Sequence, residues 1–133
     1  MAAEDRPEAR RRRRLSRSGD FDRVYKEGNS NGNRFLVLYS FARGEEDRSG
    51  EMRLGISVGR RVGKAVTRNR VKRTIREAFW ALTDSLPADH DYVVVARPGV
   101  EKLVEAEGAD GVRRSLEELL GRTAGPAAPE EGV

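Results

Sequence analysis

The segment from Arg53 to Arg76 contains nine basic residues and no acidic residue. An exposed helix usually mixes the two signs of charge through pairs at i,i+4 spacing. Nine like charges in one short segment repel one another unless a polyanion neutralises them. The segment therefore predicts a surface that binds nucleic-acid phosphates rather than an ordinary solvated face. The candidate RNA-binding residues within it are Arg60, Arg61, Lys64, Arg68, Asn69, Arg70, Lys72, Arg73 and Arg76.

Aromatic side chains on a predicted strand indicate a second candidate site. Rings that alternate along a strand share one face, and we expect this strand and the next one to pair as a hairpin. The rings would then lie beside Gly55 and Ser57, which leave a trough for a flat base. Stacking on rings holds single-stranded RNA, although strand rings are also often buried in a core. The predicted cleft residues are Phe35 and Tyr39 on this strand, Ser57 on the next strand, and Phe21 and Tyr25 on the first predicted helix, which could close one wall.

The residue types needed for catalysis by the protein are scarce. The chain has no cysteine and one histidine, His90, which excludes thiolate metal sites, cysteine nucleophiles and sites that need several histidines. A ribonuclease made of protein alone needs an acid–base pair or a carboxylate cluster that holds metal ions. His90 lies in a predicted loop, far along the chain from the basic segment. We therefore expect no catalytic residue and no metal ligand in the protein.

Length and charge limit the class of protein further. The 133 residues suffice for one domain. Residues 1–76 hold 21 basic and 10 acidic side chains, a net charge of +11, whereas residues 77–133 hold 5 and 12, a net charge of −7. No apolar run approaches the roughly 18 residues of a membrane-spanning helix, and the basic N-terminus lacks an apolar signal segment. These features predict a cytoplasmic protein with a polyanionic partner and no membrane partner.

Hydrophobic periodicity predicts the elements that position these residues. A helix at 18–27, a possible edge strand within 29–33 and strands at 34–42 and 52–58 precede the basic loop. A longer helix then runs to about Leu86, followed by an almost continuously apolar strand at 92–97, a pattern typical of burial on both faces. A last helix is predicted around 110–120, with Gly121 as its C-cap. The apolar stripe of the longer helix comprises Val71, Ile75, Ala78, Phe79, Leu82 and Leu86.

The order of these elements, α-β-β-β-α-β-α when the possible edge strand is counted, predicts a two-layer sandwich of the α+β or α/β class. Residues 1–14, which include the run Arg10–Arg14, are predicted to form a disordered basic arm. Residues 15–122 contain the predicted elements and form the folded domain. Residues 123–133 are predicted to form a disordered acidic tail, to which we assign no RNA contact.

The segment 55–79 closely resembles the signature of the bacterial ribonuclease P protein family. Its central string, Arg-Asn-Arg-Val-Lys-Arg at 68–73, matches the family's RNR motif. Two upstream pieces, at 20–28 and 33–39, fit the family pattern in register, as does the strand at 91–97 followed by Pro98. The resemblance covers roughly Leu15 to Arg122.

This resemblance implies a fold and a division of labour. The implied fold has a four-stranded sheet with a left-handed β-α-β crossover through the RNR helix, the arrangement called ribosomal protein S5 domain 2-like. General rules favour a right-handed crossover, so the expected handedness rests on the resemblance alone. By resemblance, the protein is one subunit of a ribonucleoprotein, paired one to one with a catalytic RNA that performs the hydrolysis with Mg²⁺ held mainly by RNA. The RNR face would bind the catalytic RNA, and the cleft would bind the single-stranded 5′ leader of precursor tRNA. The cleft residues that the resemblance implies are Phe21, Tyr25, Val37, Tyr39 and Ser57.

Two other functions remain compatible with the residues. A ribosome-associated RNA-binding protein with the same sandwich fold would need the basic face but not the aromatic trough. A nuclease made of protein alone would have to use His90 with a carboxylate.

Overall fold

Eight helices and strands follow one another in the part of the chain that the computed structural model describes, residues 12–15, 18–44 and 51–123. The first helix and the fourth strand have the limits that their periodicity predicts. Short 3-10 turns at 60–62 and 83–85 flank the second helix. The elements are β1 (Arg12–Arg14), α1 (Ser18–Glu27), β2 (Asn29–Gly32), β3 (Leu36–Ala42), β4 (Met52–Val58), α2 (Ala65–Trp80), β5 (His90–Ala96) and α3 (Val100–Thr123).

The five strands of the described residues form one sheet in the order β1-β4-β5-β3-β2. β5 lies at the centre, parallel to β4 and antiparallel to β3. Residues 91–94 of β5 are all buried, as expected for an apolar strand that is covered on both faces. The four predicted strands are thus present, and the three-residue β1 extends the sheet beyond β4.

The predicted hairpin of β3 and β4 is wrong. β5 lies between these two strands, so that Val93 separates Tyr39 from Gly55. The predicted sharing of faces nevertheless holds, because the register keeps alternate residues of all three strands on the same side of the sheet. The rings and the small residues therefore share one face but lie two strands apart.

Helices cover the two faces of the sheet unequally. α2 and α3 pack together on one face and form the main hydrophobic core with β3, β4 and β5. Every residue of the predicted apolar stripe of α2 and the turn after it is buried there. α1 covers part of the opposite face, where Leu15, Val24 and Val93 form a smaller buried cluster. The second face is only partly covered, which leaves a groove beside α1.

The second helix ends earlier than predicted. α2 stops at Trp80 rather than near Leu86, and residues 83–85 form a 3-10 turn instead. Threonine, aspartate and serine compete with helical hydrogen bonds through their own side chains, which favours turns over helix interior. Leu86 is still buried in the main core, so the apolar pattern predicts burial correctly even where it misjudges the helix end.

The last helix is longer than predicted. α3 begins at Val100 and continues to Thr123, so Gly121 lies within it and is not a C-cap. The prediction missed the first half because Gly108 interrupts the pattern. At Gly108 the backbone has φ 61° and ψ −148°, which kinks the helix. Glycine adopts positive φ without the steric cost of a Cβ atom.

The N-terminal boundary also differs from the prediction. Arg12–Arg14, assigned to the disordered arm, form β1, and the Leu15 amide donates a hydrogen bond of 2.9 Å to the Leu54 carbonyl. The folded part of the chain therefore begins before Leu15. The rest of the predicted arm, residues 1–11, and residues 124–133 of the predicted tail lie outside the described residues.

The basic helix α2 connects two neighbouring parallel strands, β4 and β5. This is the β-α-β crossover that the resemblance implies. Its left-handed sense stays a prediction. The connection places the loop after β4 and the start of α2 at the same end of the sheet as the carboxyl end of β5.

Candidate nucleic-acid interface

The predicted RNA-binding residues lie on the 3-10 turn after β4 and on the exposed side of α2. Successive residues of a helix are rotated by about 100°. Asn69, Arg73 and Arg76 therefore lie on an exposed arc of α2, and Val71 and Ile75 lie on its buried side. Arg60, Arg61, Lys64 and Arg70 are exposed as well, whereas Arg68 and Lys72 are half-buried at the edge of the arc. The structure thus brings the whole predicted set together on one surface, called here the basic face.

The cations of the basic face have no carboxylate partner among the residues that the structure describes. None of its eight lysine and arginine residues forms an ion pair with any carboxylate of the described residues. Arginines elsewhere in the described chain do form such pairs: Arg23 with Asp20, and Arg114 with Glu107. Uncompensated charge of one sign creates a positive potential that attracts polyanions.

Arg68 also supports the loop that presents the basic face. Its Nε donates a hydrogen bond of 3.1 Å to the Gly63 carbonyl. Gly63 lies against Thr67, whose Cγ2 would be 2.9 Å from a Cβ atom at this position. A larger residue would have to push the first turn of α2 away. These two contacts fix the position of the loop at Gly63 relative to the first turn of α2.

The opposite face of the sheet provides the floor of the aromatic cleft. Val37 of β3, Val95 of β5 and Ser57 of β4 lie in one row across the three central strands. All three are half-buried, so α1 leaves them partly open to solvent. Sequence reasoning missed Val95 as a cleft residue, although its alternation with the buried Val94 could have indicated it.

Two rings on α1 define one wall of the cleft. The Phe21 ring lies over Gly55, with its Cζ 2.5 Å from the position of a Cβ atom there. The trough predicted beside Gly55 is therefore filled by the protein's own ring. Tyr25 contacts Tyr39 edge to face, with ring centroids 4.9 Å apart and planes at 77°. The open part of the cleft lies near Ser57 instead.

An open groove of about 440 Å³ links the cleft to the basic face. Tyr25 is 39% exposed at its rim. Burial raises the pKa of the Tyr25 hydroxyl, as do Tyr39 and Asp22, while a hydrogen bond from Ser57 lowers it. The phenol is therefore protonated at neutral pH and can donate a hydrogen bond. The groove is lined by Ser18, Phe21, Asp22, Tyr25, Ile56, Ser57, Val58 and Lys72.

Lys72 is shared by the two predicted sites. Sequence reasoning placed it with the basic face, and in the structure it also lines the groove across from α1. Asp22 on α1 lines the same groove and was not among the predicted cleft residues. Long-range packing of α2 against β4 creates this proximity, which a local sequence pattern does not show.

Phe35 lies away from the other predicted cleft residues. It precedes β3, and its ring packs against the main core on the α2–α3 side of the sheet. Its amide donates a hydrogen bond to Asn33 Oδ1, and Asn33 Nδ2 in turn bonds Ser115 and Glu118 of α3. Asn33 thereby links the turn before β3 to α3. Because Phe35 lies in this turn, its side chain does not follow the alternation of the β3 side chains. The prediction of Phe35 as a cleft residue is therefore wrong.

His90 lies at the start of β5 rather than in a loop. Its Nδ1 is 2.9 Å from the Ala88 carbonyl oxygen, and its ring stacks on Tyr92. No carboxylate of the described residues forms a hydrogen bond or an ion pair with it. This arrangement gives no support to an acid–base pair built on His90.

Among the described residues there is no group of three histidine or acidic side chains that could hold a metal ion. The same part of the chain contains no helix long and apolar enough to cross a membrane.

These features define a class of protein: a small α+β protein in which a cationic helix borders an open, aromatic-walled groove. Residues 9–124 match the family model described as Ribonuclease P, and the chain belongs to that family. It is therefore a ribonuclease P protein subunit, an RNA-binding protein of tRNA processing that associates with the ribonuclease P RNA. The family predicted from the RNR segment is confirmed, and so is the α+β fold class.

Individual relatives agree with this assignment. The Ribonuclease P protein component of Streptococcus pyogenes serotype M49 (strain NZ131) is 47% identical over 90 residues, which cover 68% of this chain and 71% of the relative. The solved RNase P protein of Staphylococcus aureus aligns with a TM-score of 0.68 and 36% identity, covering 86% of this chain and 97% of that one. The RNase P protein of Thermotoga maritima aligns with a TM-score of 0.69 and 37% identity, covering 82% and 96% respectively.

Proposed function

We propose that this subunit binds the catalytic RNA of ribonuclease P through its basic face and the single-stranded 5′ leader of precursor tRNA through its groove. In this role it assists the endonucleolytic removal of the leader, which produces the mature 5′ end of tRNA. The observation that carries the proposal is a set of eight cations that form no ion pair with any described carboxylate, beside an open, aromatic-walled groove.

The basic face suits a folded RNA because its positive charges are spread over the turn and α2 and are not neutralised by described carboxylates. Binding phosphates there releases the counterions condensed on the RNA, which is the main source of affinity for nucleic acids at moderate salt. Arginine donates in a planar fork that fits phosphate oxygens, and six of the eight cations are arginine. The exposed Arg73 and Arg76 on α2 and the exposed Arg60 and Arg61 on the turn would make the first contacts.

The groove suits a single strand rather than a duplex. The groove is lined by the partly buried Ile56 and the exposed Tyr25 ring. It adjoins the half-buried row of Val37, Val95 and Ser57, where Val37 and Val95 offer an apolar surface for bases. Bases of any identity stack on such surfaces. Lys72 on the α2 side can neutralise a phosphate of the same strand. A leader lying in the groove would therefore pass directly beside the RNA held on the basic face.

We assign the hydrolysis to the RNA subunit. Mg²⁺ would activate the attacking water and stabilise the leaving oxygen, as metal ions do in phosphodiester hydrolysis. The described side chains do not form a group that could hold such an ion, and we propose that Mg²⁺ is held mainly by RNA phosphates. One protein would serve each RNA subunit, in the cytoplasm where precursor tRNA is made.

Cleavage of precursor tRNA by separated and recombined subunits tests this function. The purified chain alone should not cleave, and its addition to the catalytic RNA at low Mg²⁺ should increase cleavage at the 5′ end. Cleavage by the protein alone that His90→Ala abolishes would support a nuclease made of protein. A chain that binds RNA but leaves cleavage by the catalytic RNA unchanged would support a ribosome-associated protein.

A further inference from the structure

A buried ionic cluster lies at the closed end of the cleft, away from the groove. Asp91 of β5 has a fully buried side chain. Its Oδ1 accepts hydrogen bonds of 2.7 Å from Arg43 Nη1 and from Arg53 Nε, and its Oδ2 accepts one of 2.9 Å from Arg53 Nη2. One buried carboxylate thus binds two guanidinium groups, and Arg53 of β4 binds it in a bidentate manner through Nε and Nη2.

This bidentate grip orients the remaining edge of the Arg53 guanidinium toward α1. Arg53 Nη1 lies 3.9 Å from Oδ2 of Asp20 in the first turn of that helix. Arg43 is also paired with Asp89, at 3.7 Å from its Nη2, so that Asp20 is the second carboxylate beside Arg53 as Asp89 is beside Arg43. The Arg53 and Asp20 side chains are mostly buried, at 17% and 14% exposed. Charges in such a setting interact more strongly than they do in water.

The same end of α1 makes a second contact with this part of the sheet. Asp20 forms an ion pair of 3.1 Å with Arg23, and the Arg23 guanidinium lies 5.8 Å from the centroid of the Phe41 ring of β3. Phe41, Asp91 and Arg53 are direct neighbours across β3, β5 and β4. The N-terminal half of α1 therefore spans one complete row of the sheet.

The polar contacts add to a small apolar contact area of α1 with the sheet, formed by Val24 and the Phe21 ring. Val24 is its only fully buried residue. The residue after Asp20 is Phe21, whose ring fills the space over Gly55. A displacement of the first turn of α1 would move Phe21 and, one turn later, the exposed Tyr25 at the groove.

We infer that Arg53 is a positioning residue of ribonuclease P protein function: oriented by Asp91, it holds α1 through Asp20 and so sets the width of the leader groove. This inference rests on the proposed function of that groove. Arg53 acts through α1 and does not touch the leader or the reacting phosphate. It belongs to the basic segment of the sequence, yet it serves the cleft from inside the fold rather than the basic face.

The test compares Asp20→Asn with Glu27→Gln in the reconstituted holoenzyme. Both changes remove one negative charge from α1, but Glu27 is exposed and its side chain forms no hydrogen bond or ion pair within the described chain. Affinities are measured for precursor tRNA and for mature tRNA. We expect Asp20→Asn to reduce the preference for precursor roughly two- to fivefold, the range of a partly exposed ion pair, and Glu27→Gln to leave it unchanged. Affinity for the catalytic RNA should stay constant in both.

Two further measurements separate this inference from the proposed function. Arg53→Lys keeps the charge but loses the bidentate fork, so it should reduce the preference at least as much as Asp20→Asn. Hydrogen exchange of the free protein should show faster exchange in α1 of Asp20→Asn, with β4 and β5 unchanged. Equal behaviour of Asp20→Asn and Glu27→Gln in both measurements overturns the positioning role. A wild-type holoenzyme without preference for precursor refutes the leader groove, and hydrogen exchange then decides the positioning role alone.

Discussion

The ring of Phe21 occupies the space that a side chain at Gly55 would need, since its Cζ lies 2.5 Å from the position of a Cβ atom there. A helix residue and a strand residue are thus fitted together at the base of the cleft. Only glycine permits this approach without a shift of α1 or of the ring.

Gly55→Ala should therefore disturb α1 and the cleft together. The added methyl group must push the Phe21 ring toward the groove, at a cost of about 1–3 kcal/mol in unfolding free energy, typical of overpacking. Thermal unfolding measures the stability, and titration of the holoenzyme with precursor and mature tRNA measures leader binding. Gly59→Ala is the control, because nothing lies within 4 Å of a Cβ atom there. Unchanged stability and unchanged leader binding in Gly55→Ala would contradict the contact.

Removing one cation of the basic face should change the salt dependence of RNA binding. The slope of log affinity against log salt should become shallower by about 0.7–0.9 for Arg73→Ala, because one phosphate contact releases about that many counterions. Arg114→Ala provides the control, since this exposed arginine is paired with Glu107 on α3. A slope that is the same for both variants and the wild type would show that Arg73 contacts no phosphate.

Anions should stabilise the free protein. Sulfate or phosphate binds only the folded basic face and relieves its charge repulsion, so the melting temperature should rise with sulfate concentration. Sodium chloride at matched ionic strength provides the control for general screening. The increase should be smaller for a double variant Arg73→Ala and Arg76→Ala. Equal melting temperatures in sulfate and chloride would rule out a specific anion site on the basic face.

The two surfaces should respond to different substitutions. Tyr39→Ala removes the ring that supports Tyr25 and should weaken precursor binding by the holoenzyme more than mature tRNA binding, by about 1–3 kcal/mol if one base stack is lost. Tyr39→Phe keeps the ring and should retain most of the binding. Arg70→Ala should instead weaken assembly with the catalytic RNA. Equal weakening of both tRNAs by Tyr39→Ala, or its unfolding, would assign Tyr39 to the smaller core instead of the cleft.

Local sequence patterns predicted much of this fold. α1 and β4 have their predicted limits, and the apolar stripe that includes Val71 and Ile75 is buried as expected. These features depend on the helix and strand periods, which adjacent residues alone establish. The end of α2 and the first half of α3 were misjudged where turn-forming residues and Gly108 obscure the period.

The site was predicted less completely than the fold. The basic face emerged from composition alone, because a run without acids has no local partner for its charges. The cleft was predicted with a wrong hairpin, with Phe35 included and with Val95 absent. Phe35 turns to the other side because Asn33, held by α3, redirects the chain before β3. That contact joins residues more than eighty positions apart.

The sequence by itself determined which residue types are present, which residues share a face of each element, and that the basic segment lacks acids. These are properties of neighbours along the chain. The tertiary structure decided that β5 separates β3 from β4, that Phe21 fills the trough at Gly55, and that Arg53 serves α1 rather than the basic face. Such relations depend on contacts between residues far apart in the chain. A strand that is apolar on both faces is most stable at the centre of the sheet. β5 therefore lies between β3 and β4, and its position sets which residues of those strands are neighbours.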